Sequence, residues 1–119
     1  MAVEIIQGDA LTVLRTLPSD HFHCIVTSPP YWGLRDYGVE GQIGLEETPE
    51  QWCARLVEVF REVRRVLRPD GVLWLNCGDS YASSPTGDLK LKDLIGQPWM
   101  LAFALRADGW WLRSEIIWA

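Results

Sequence analysis

Among the ten glycines of this chain there is no Gly-x-Gly pair, so the residues encode no tight loop of the kind that cradles a phosphate or a dinucleotide. The nearest spacing, Gly38-x-x-Gly41-x-x-Gly44, steps by three and follows no strand; it reads as a flexible surface loop. Histidine is scarce, and His21 and His23 flank an apolar run with no Cys or Asp cluster beside them. No metal-ligand spacing results, and both histidines read as surface or strand-edge residues. Cysteine is limited to Cys24, Cys53 and Cys77, an odd, widely spaced set within apolar segments; these read as reduced core residues rather than a disulfide framework. No apolar run approaches the length of a membrane span, and the start at Val3-Glu4-Ile5-Ile6 shows no signal peptide, so a cytoplasmic location is expected. Positive charge is also short: 11 Lys and Arg against 16 Asp and Glu give a net charge of −5. That balance argues against a free-standing nucleic-acid binder, which needs a basic footprint. There are no internal repeats.

What is present fits one α/β domain spanning residues 1–119, with an ordinary 48% hydrophobic content and an unusually high seven Trp. Val3–Gln7 reads as a short strand. Gly8-Asp9 turns it, and Asp9 can N-cap a helix running to about Leu17. Phe22–Thr27 is an apolar, β-branched run that reads as a buried strand. A long loop follows, from Tyr31 to about Glu47. Thr48-Pro49-Glu50-Gln51 opens the clearest helix, with Thr48 as N-cap, Pro49 in the first turn and Gln51 completing a capping box. Trp52, Leu56, Val59, Phe60, Val63, Val66 and Leu67 recur at helical steps on one face. Arg61, Arg64 and Arg65 lie between them, and a solvated face near the helix C-terminus explains them better than phosphate contact. Pro69-Asp70-Gly71 is expected to turn the chain into a strand over Val72–Cys77. Residues 82–94 look like a polar, irregular and mobile loop, Gln97–Ala107 a helix, and Trp111–Trp118 a last strand. The order β-α-β-α-β-α-β is a three-layer α/β pattern.

The most informative run is Cys24-Ile25-Val26-Thr27-Ser28-Pro29-Pro30-Tyr31-Trp32. Two prolines fix φ and have no amide hydrogen, so the strand stops there. Ser28, preceding a proline, is held extended. Stiff backbone at a strand's C-terminal end then presents carbonyls, a hydroxyl and two aromatic rings. Ligands of open α/β sheets bind at that edge. A base drawn out of nucleic acid needs acceptors for its exocyclic amine and an aromatic face to stack on. Gly78-Asp79-Ser80-Tyr81 falls on the same edge if the strands are parallel.

Ser28-Pro29-Pro30-Tyr31 resembles the (Ser/Asp/Asn)-Pro-Pro-(Tyr/Phe/Trp) motif of amino-group DNA methyltransferases. Gly8-Asp9-Ala10-Leu11, Arg68-Pro69-Asp70-Gly71-Val72-Leu73-Trp74-Leu75-Asn76 and Asp108-Gly109-Trp110-Trp111-Leu112-Arg113-Ser114-Glu115-Ile116-Ile117-Trp118 resemble that family's neighbouring segments. The likeness is strongest to the subgroup whose catalytic motif precedes its cofactor loop (the beta type), and it extends over nearly the whole chain. It implies a partial Rossmann-like, S-adenosylmethionine-dependent methyltransferase fold of the restriction–modification kind. It further implies transfer of a methyl group to cytosine N4 or adenine N6 of DNA, Ser in the first motif position leaning to cytosine N4. Ser28 Oγ and the Pro29 carbonyl would accept from the amine, Tyr31 would stack on the flipped base, and Pro30 would stiffen the turn. Asp9, Ala10 and Ser28 would lie on the cofactor side. Asp79 would either join them or cap a loop. No metal is implied.

The family's target-recognition region and Phe-x-Gly-x-Gly loop are not in these residues. The resemblance therefore implies the catalytic half alone, lacking the glycine-loop half. By the same likeness, Val3–Gln7 would lie on one side of a sheet and the other three strands on the other side, with two strands missing between. Unpaired strand backbone cannot stay open at the centre of an apolar sheet. Three arrangements would close it: direct pairing of Val3–Gln7 with Phe22–Thr27, a complementary C-terminal half, or a homo-oligomer. Three roles stay open: an enzyme fragment that needs its other half, a non-catalytic remnant that binds a protein, and a cofactor-binding module.

Overall fold

The computed structural model describes residues 2–119. Its elements are α1 (Ala10–Leu14), β1 (Phe22–Thr27), α2 (Pro49–Val66), β2 (Leu67–Leu75) and α3 (Gln97–Ala107). They fall into two compact units: the residues through Pro29 with Glu58–Asn76, and Pro30–Val57 with Cys77–Ala119.

In the first unit β1 and β2 form a two-stranded parallel sheet. Ile25 pairs with Leu73, Val26 with Trp74 and Thr27 with Leu75. Thr27 O accepts a further bond from Asn76 N at 2.9 Å, so both strands end on the same edge. The expected turn at Pro69-Asp70-Gly71 is instead an irregularity inside β2, which already begins at Leu67. Phe22 pairs with Leu67 and Cys24 with Val72, so extra β2 residues bulge between them. Pro69 has no N–H to give to the ladder. Gly71 is needed where the bulge folds back, because a Cβ there would lie 2.8 Å from Leu67 Cδ2 and 3.0 Å from Arg68 O.

The C-terminal portion of α2 supplies this unit's core, with Phe60, Val63, Val66 and the adjoining Leu67 all buried. Its last carbonyls are not left open. Asp20 N donates to Arg65 O at 3.0 Å and His21 N to Val66 O at 2.9 Å. Asp20 reaches this position with φ of 53°, which a short polar side chain tolerates. Arg65 reciprocates by donating to Leu14 O, Leu17 O and Ser19 Oγ at 2.8, 3.0 and 2.9 Å. This arginine is therefore structural.

In the second unit the core is Trp52, Cys53, Leu56, Ala82, Ile95, Leu101 and Leu105, together with the fully buried Gln97. The expected helix start holds: Thr48 Oγ1 accepts from Gln51 N at 3.2 Å. The reciprocal bond of the box runs from Glu47 N, one residue earlier, to Gln51 Oε1 at 3.1 Å. Along α3, Gln97, Leu101 and Leu105 are buried while Trp99 and Phe103 are half exposed. The segment 82–94, expected to be irregular, is stapled instead. Tyr81 bridges Leu94, Thr86 bridges Leu89, and Ala82 exchanges bonds with Asp93 and Lys92.

Two expected strands are absent. Val3–Gln7 and Trp111–Trp118 have no strand pairing among the described residues, and the sheet has two strands rather than four. A strand exists through its ladder, and these β-branched and aromatic residues have no neighbouring strand to pair with among the described residues. Pairing of Val3–Gln7 with β1 is thereby ruled out in this structure. Helix α1 stops at Leu14 rather than Leu17, continuing as single turns from Thr16 N to Val13 O and Leu17 N to Leu14 O.

Cys53 is buried and Cys77 partly so, but Cys24 is exposed, contrary to its reading as core. Cys24, Val26, Val72 and Trp74 share one uncovered sheet face. Burial pushes the Cys53 thiol up to about 11 and the Cys77 thiol up to about 12 from an ordinary 9.0. The unfolded chain loses these protons first, so the two thiols lower stability as pH rises from about 9 toward 12. Urea midpoints of Cys77→Ser should fall less than those of the parent between pH 8.5 and 10. At pH 8, Cys24 should alkylate in the native state while Cys53 and Cys77 wait for denaturant. Thr48→Ala should cost about 1 kcal/mol in urea unfolding through loss of the N-cap.

Candidate active site

Ser28 leaves the end of β1 exposed, and Pro29 behind it is buried. Asp9 and Ala10 lie in the same unit at the start of α1, both exposed. Asp9 Oδ2 accepts from Thr12 N at 3.1 Å and from Thr12 Oγ1 at 3.0 Å. The Thr12 amide, then its hydroxyl, hold the carboxyl below its ordinary value, so it is ionised at neutral pH. An exposed carboxylate of this kind suits hydroxyl or amine donors of a ligand, and it is also a helix cap.

The second unit holds Pro30 and Tyr31, and here the backbone is tied down by side chains from far along the chain. The Trp52 indole donates to Pro30 O at 2.8 Å. The Gln97 carboxamide accepts from Trp32 N at 2.8 Å and donates to Trp32 O at 3.2 Å and to Ser80 Oγ at 3.0 Å. The Trp32 indole donates to Glu46 O at 2.7 Å. Tyr31 is half buried. Two glycines admit it: a Cβ on Gly78 would lie 3.0 Å from Tyr31 Cε2, and one on Gly44 2.9 Å from Tyr31 O.

The loop after Tyr31 is not the flexible segment that its glycines suggest. Gly33 N donates to Gly44 O at 2.7 Å. Arg55 donates to Gln42 O, Gly41 O and Glu46 Oε2 at 3.0, 2.6 and 2.6 Å, and Glu46 Oε1 accepts from Gly44 N at 2.8 Å. The Glu46 side chain is only 6% exposed. Gly44 itself is buried with φ of 117°.

Asp79 is settled as a cap. Its carboxylate accepts from Gly96 N at 2.9 Å, Gln97 N at 3.1 Å and Ser80 N at 2.9 Å. Gly96 and Gln97 carry orphan amides at the start of α3, where Gly96 takes φ of 85°. Sequence reasoning passed over Gln97, Trp52 and Glu46. The available signals were an amide residue inside the apolar run Ile95-Gly96-Gln97-Pro98-Trp99, and the need of a buried indole for an acceptor.

Gly44→Ala should destabilise the fold by more than about 1 kcal/mol in urea unfolding, since both its φ and the Tyr31 carbonyl oppose a side chain. Gly41→Ala, at an open position with φ of 76°, should cost less.

The DNA methylase family model for amino-group (N6/N4) enzymes matches residues 22–119. The chain is 55% identical to the Type II methyltransferase M.XycI of Xanthomonas campestris pv. cyanopsidis, over 96% of this chain and 45% of that protein. It is 53% identical to M.Cfr9I of Citrobacter freundii, with the same coverage. Among solved structures, TTHA0409 of Thermus thermophilus, assigned as a DNA modification methylase and complexed with S-adenosyl-L-methionine, superposes with a TM-score of 0.64. The two are 33% identical, and the match covers 86% of this chain and 39% of that one. The chain thus spans about half the length of the curated relatives it matches. The expected fold holds as a partial one, mixed helix and strand with a small parallel sheet, and the chain belongs to the amino-group DNA methylase family.

Proposed function

We propose that this chain is the catalytic half, a single domain, of a restriction–modification DNA methyltransferase. It acts on the exocyclic amine of a flipped base, with cytosine N4 the target favoured by Ser28. The observation that carries this reading is the stiff Ser28-Pro29-Pro30-Tyr31 run at the end of β1, with the backbone on either side of Tyr31 held by Trp52 and Gln97.

An aromatic amine is a poor nucleophile because its lone pair is delocalised into the ring. Acceptors on its hydrogens favour a pyramidal nitrogen and turn the lone pair outward. Ser28 Oγ and the Pro29 carbonyl are the acceptors in this reading, and Tyr31 stacks on the base. The Pro30 ring fixes its φ, which keeps the turn rigid. Catalysis is then positioning and electrostatics, with no cysteine nucleophile. S-adenosylmethionine, when bound, supplies the methyl group. The ionised Asp9 carboxylate suits its adenosine, and Ala10 and Ser28 belong to the same compact unit as Asp9. These residues fit part of the cofactor, and the glycine-loop half supplies the rest.

The complementary half is the proposed partner. The uncovered sheet face carries Val26 at 75% and Trp74 at 51% exposure, and Val3 and Ile5 are about 90% exposed. An apolar surface of this kind calls for a cover, and the curated relatives are about twice as long as this chain. No helix among the described residues is long and apolar enough to cross a membrane, in keeping with the proposed cytoplasmic site of action on DNA.

The test is methyl transfer from labelled S-adenosylmethionine to DNA by the chain alone and with the complementary half, followed by identification of the methylated nucleoside. N4-methylcytosine formed only by the pair is the expected result. N6-methyladenine would overturn the choice of base, and no transfer by the pair would leave a protein-binding remnant. Ser28→Ala and Tyr31→Ala should each lower kcat by about a hundredfold or more with circular dichroism unchanged. Full activity in both would sink the mechanism.

A further inference from the structure

Two peptide planes meet at the Tyr31 Cα, and each is gripped by a side chain. The plane before it carries the Pro30 carbonyl, bonded to the Trp52 indole at 2.8 Å. The plane after it carries the Trp32 N–H, bonded to Gln97 Oε1 at 2.8 Å. Because peptide units are planar, fixing both planes fixes φ and ψ of Tyr31 and hence the direction of its Cα–Cβ bond. Gln97 goes further, since its Nε2 also donates to Trp32 O. One carboxamide therefore reads both polar groups of a single residue, as a neighbouring strand would. Pro29 and Pro30 have no amide hydrogens, and the β1 ladder ends at Thr27, short of Trp32. Gln97 is fully buried, and both hydrogens of its amide are engaged, by Trp32 O and Ser80 Oγ. Asp79 holds Gln97 in turn through its backbone N–H at 3.1 Å.

We propose that Gln97 is a positioning residue that fixes the Trp32 backbone and so aims the Tyr31 ring at the target base. The proposal rests on the reading of Tyr31 as the stacking group. Gln97 touches neither base nor cofactor in this scheme. Its removal therefore acts on the orientation of the reacting groups, where a misplacement of about 1 Å costs about a hundredfold in rate.

The test uses the assembled enzyme, this chain with its complementary half, carrying Gln97→Met or Gln97→Glu. Two quantities are read: deuterium exchange in the peptide spanning residues 30–34, and kcat and KM for methyl transfer. Gln97→Met should speed exchange at least tenfold and lower kcat by about ten- to a hundredfold, with the KM for S-adenosylmethionine within about twofold of the parent. Gln97→Glu gives a sharper sign. As a carboxylate it cannot donate to Trp32 O, but as a carboxylic acid it can, and burial favours the neutral form. Its kcat relative to the parent at the same pH should therefore rise as pH falls from 8 to 6, which a purely structural role would not produce.

Unchanged exchange in Gln97→Met would overturn the proposal, as would a flat pH ratio for Gln97→Glu. If Gln97→Met does not fold, Trp52→Phe releases the other plane and should produce the same loss of kcat at constant KM; a normal kcat there would count against the scheme. If the parent pair transfers no methyl group, the reading of Tyr31 fails separately, and exchange alone decides whether Gln97 holds the backbone.

Discussion

Two adjacent prolines take two hydrogen-bond donors out of the main chain at the point where β1 ends, and much of the second unit is arranged around that loss. A chain that cannot extend a ladder must be held by side chains, and those side chains come from distant parts of the sequence. Trp52 reaches the carbonyl before Tyr31 from the first turn of α2, and Gln97 reaches the amide after it from the first turn of α3. Both sit at helix starts, where capping makes the backbone well defined. The buried Glu46 and its partner Arg55 then fix the loop that follows. The fully buried residues Trp52 and Gln97 are thus core residues by position and scaffold residues by hydrogen bonding.

The parts of the fold that can be read from the sequence are those with local causes. Helix α2 has its own cap and apolar stripe, α3 its own proline and terminal Asp-Gly, and β1 its β-branched run and its prolines. The parts that cannot be read depend on partners. Val3–Gln7 and Trp111–Trp118 look like strands because the residue types suit a sheet, but no neighbouring strand pairs with them here. Pro69-Asp70-Gly71 looks like a turn because Pro-Asp-Gly is turn chemistry; the parallel pairing of Phe22 with Leu67 recruits it into β2. Gly44 looks free because glycine spacing cannot reveal that a carbonyl sits 2.9 Å from where a Cβ would go.

The candidate site divides in the same way. Its proposed reacting face stands out because Ser-Pro-Pro-Tyr is a short continuous run with an obvious backbone consequence. Its support does not, since Gln97 lies sixty-five residues beyond Trp32. Asp79 shows the converse: an acidic residue at a strand end invites a ligand role, yet three backbone amides already occupy its carboxylate. A side chain near a functional edge has to be judged by its hydrogen-bond partners, and those partners are a property of the folded chain.

The end of α2 has a consequence for how the first unit comes apart. Its final carbonyls are closed by the amides of Asp20 and His21, and Arg65 on its last turn closes the carbonyls of Leu14 and Leu17 in exchange. The two segments finish each other, so neither end is complete alone. Fraying of the helix terminus and detachment of the link between α1 and β1 are then a single opening event, and the amides at 20 and 21 exchange as one cooperative block. A protease cut within that link would loosen a helix end more than forty residues away.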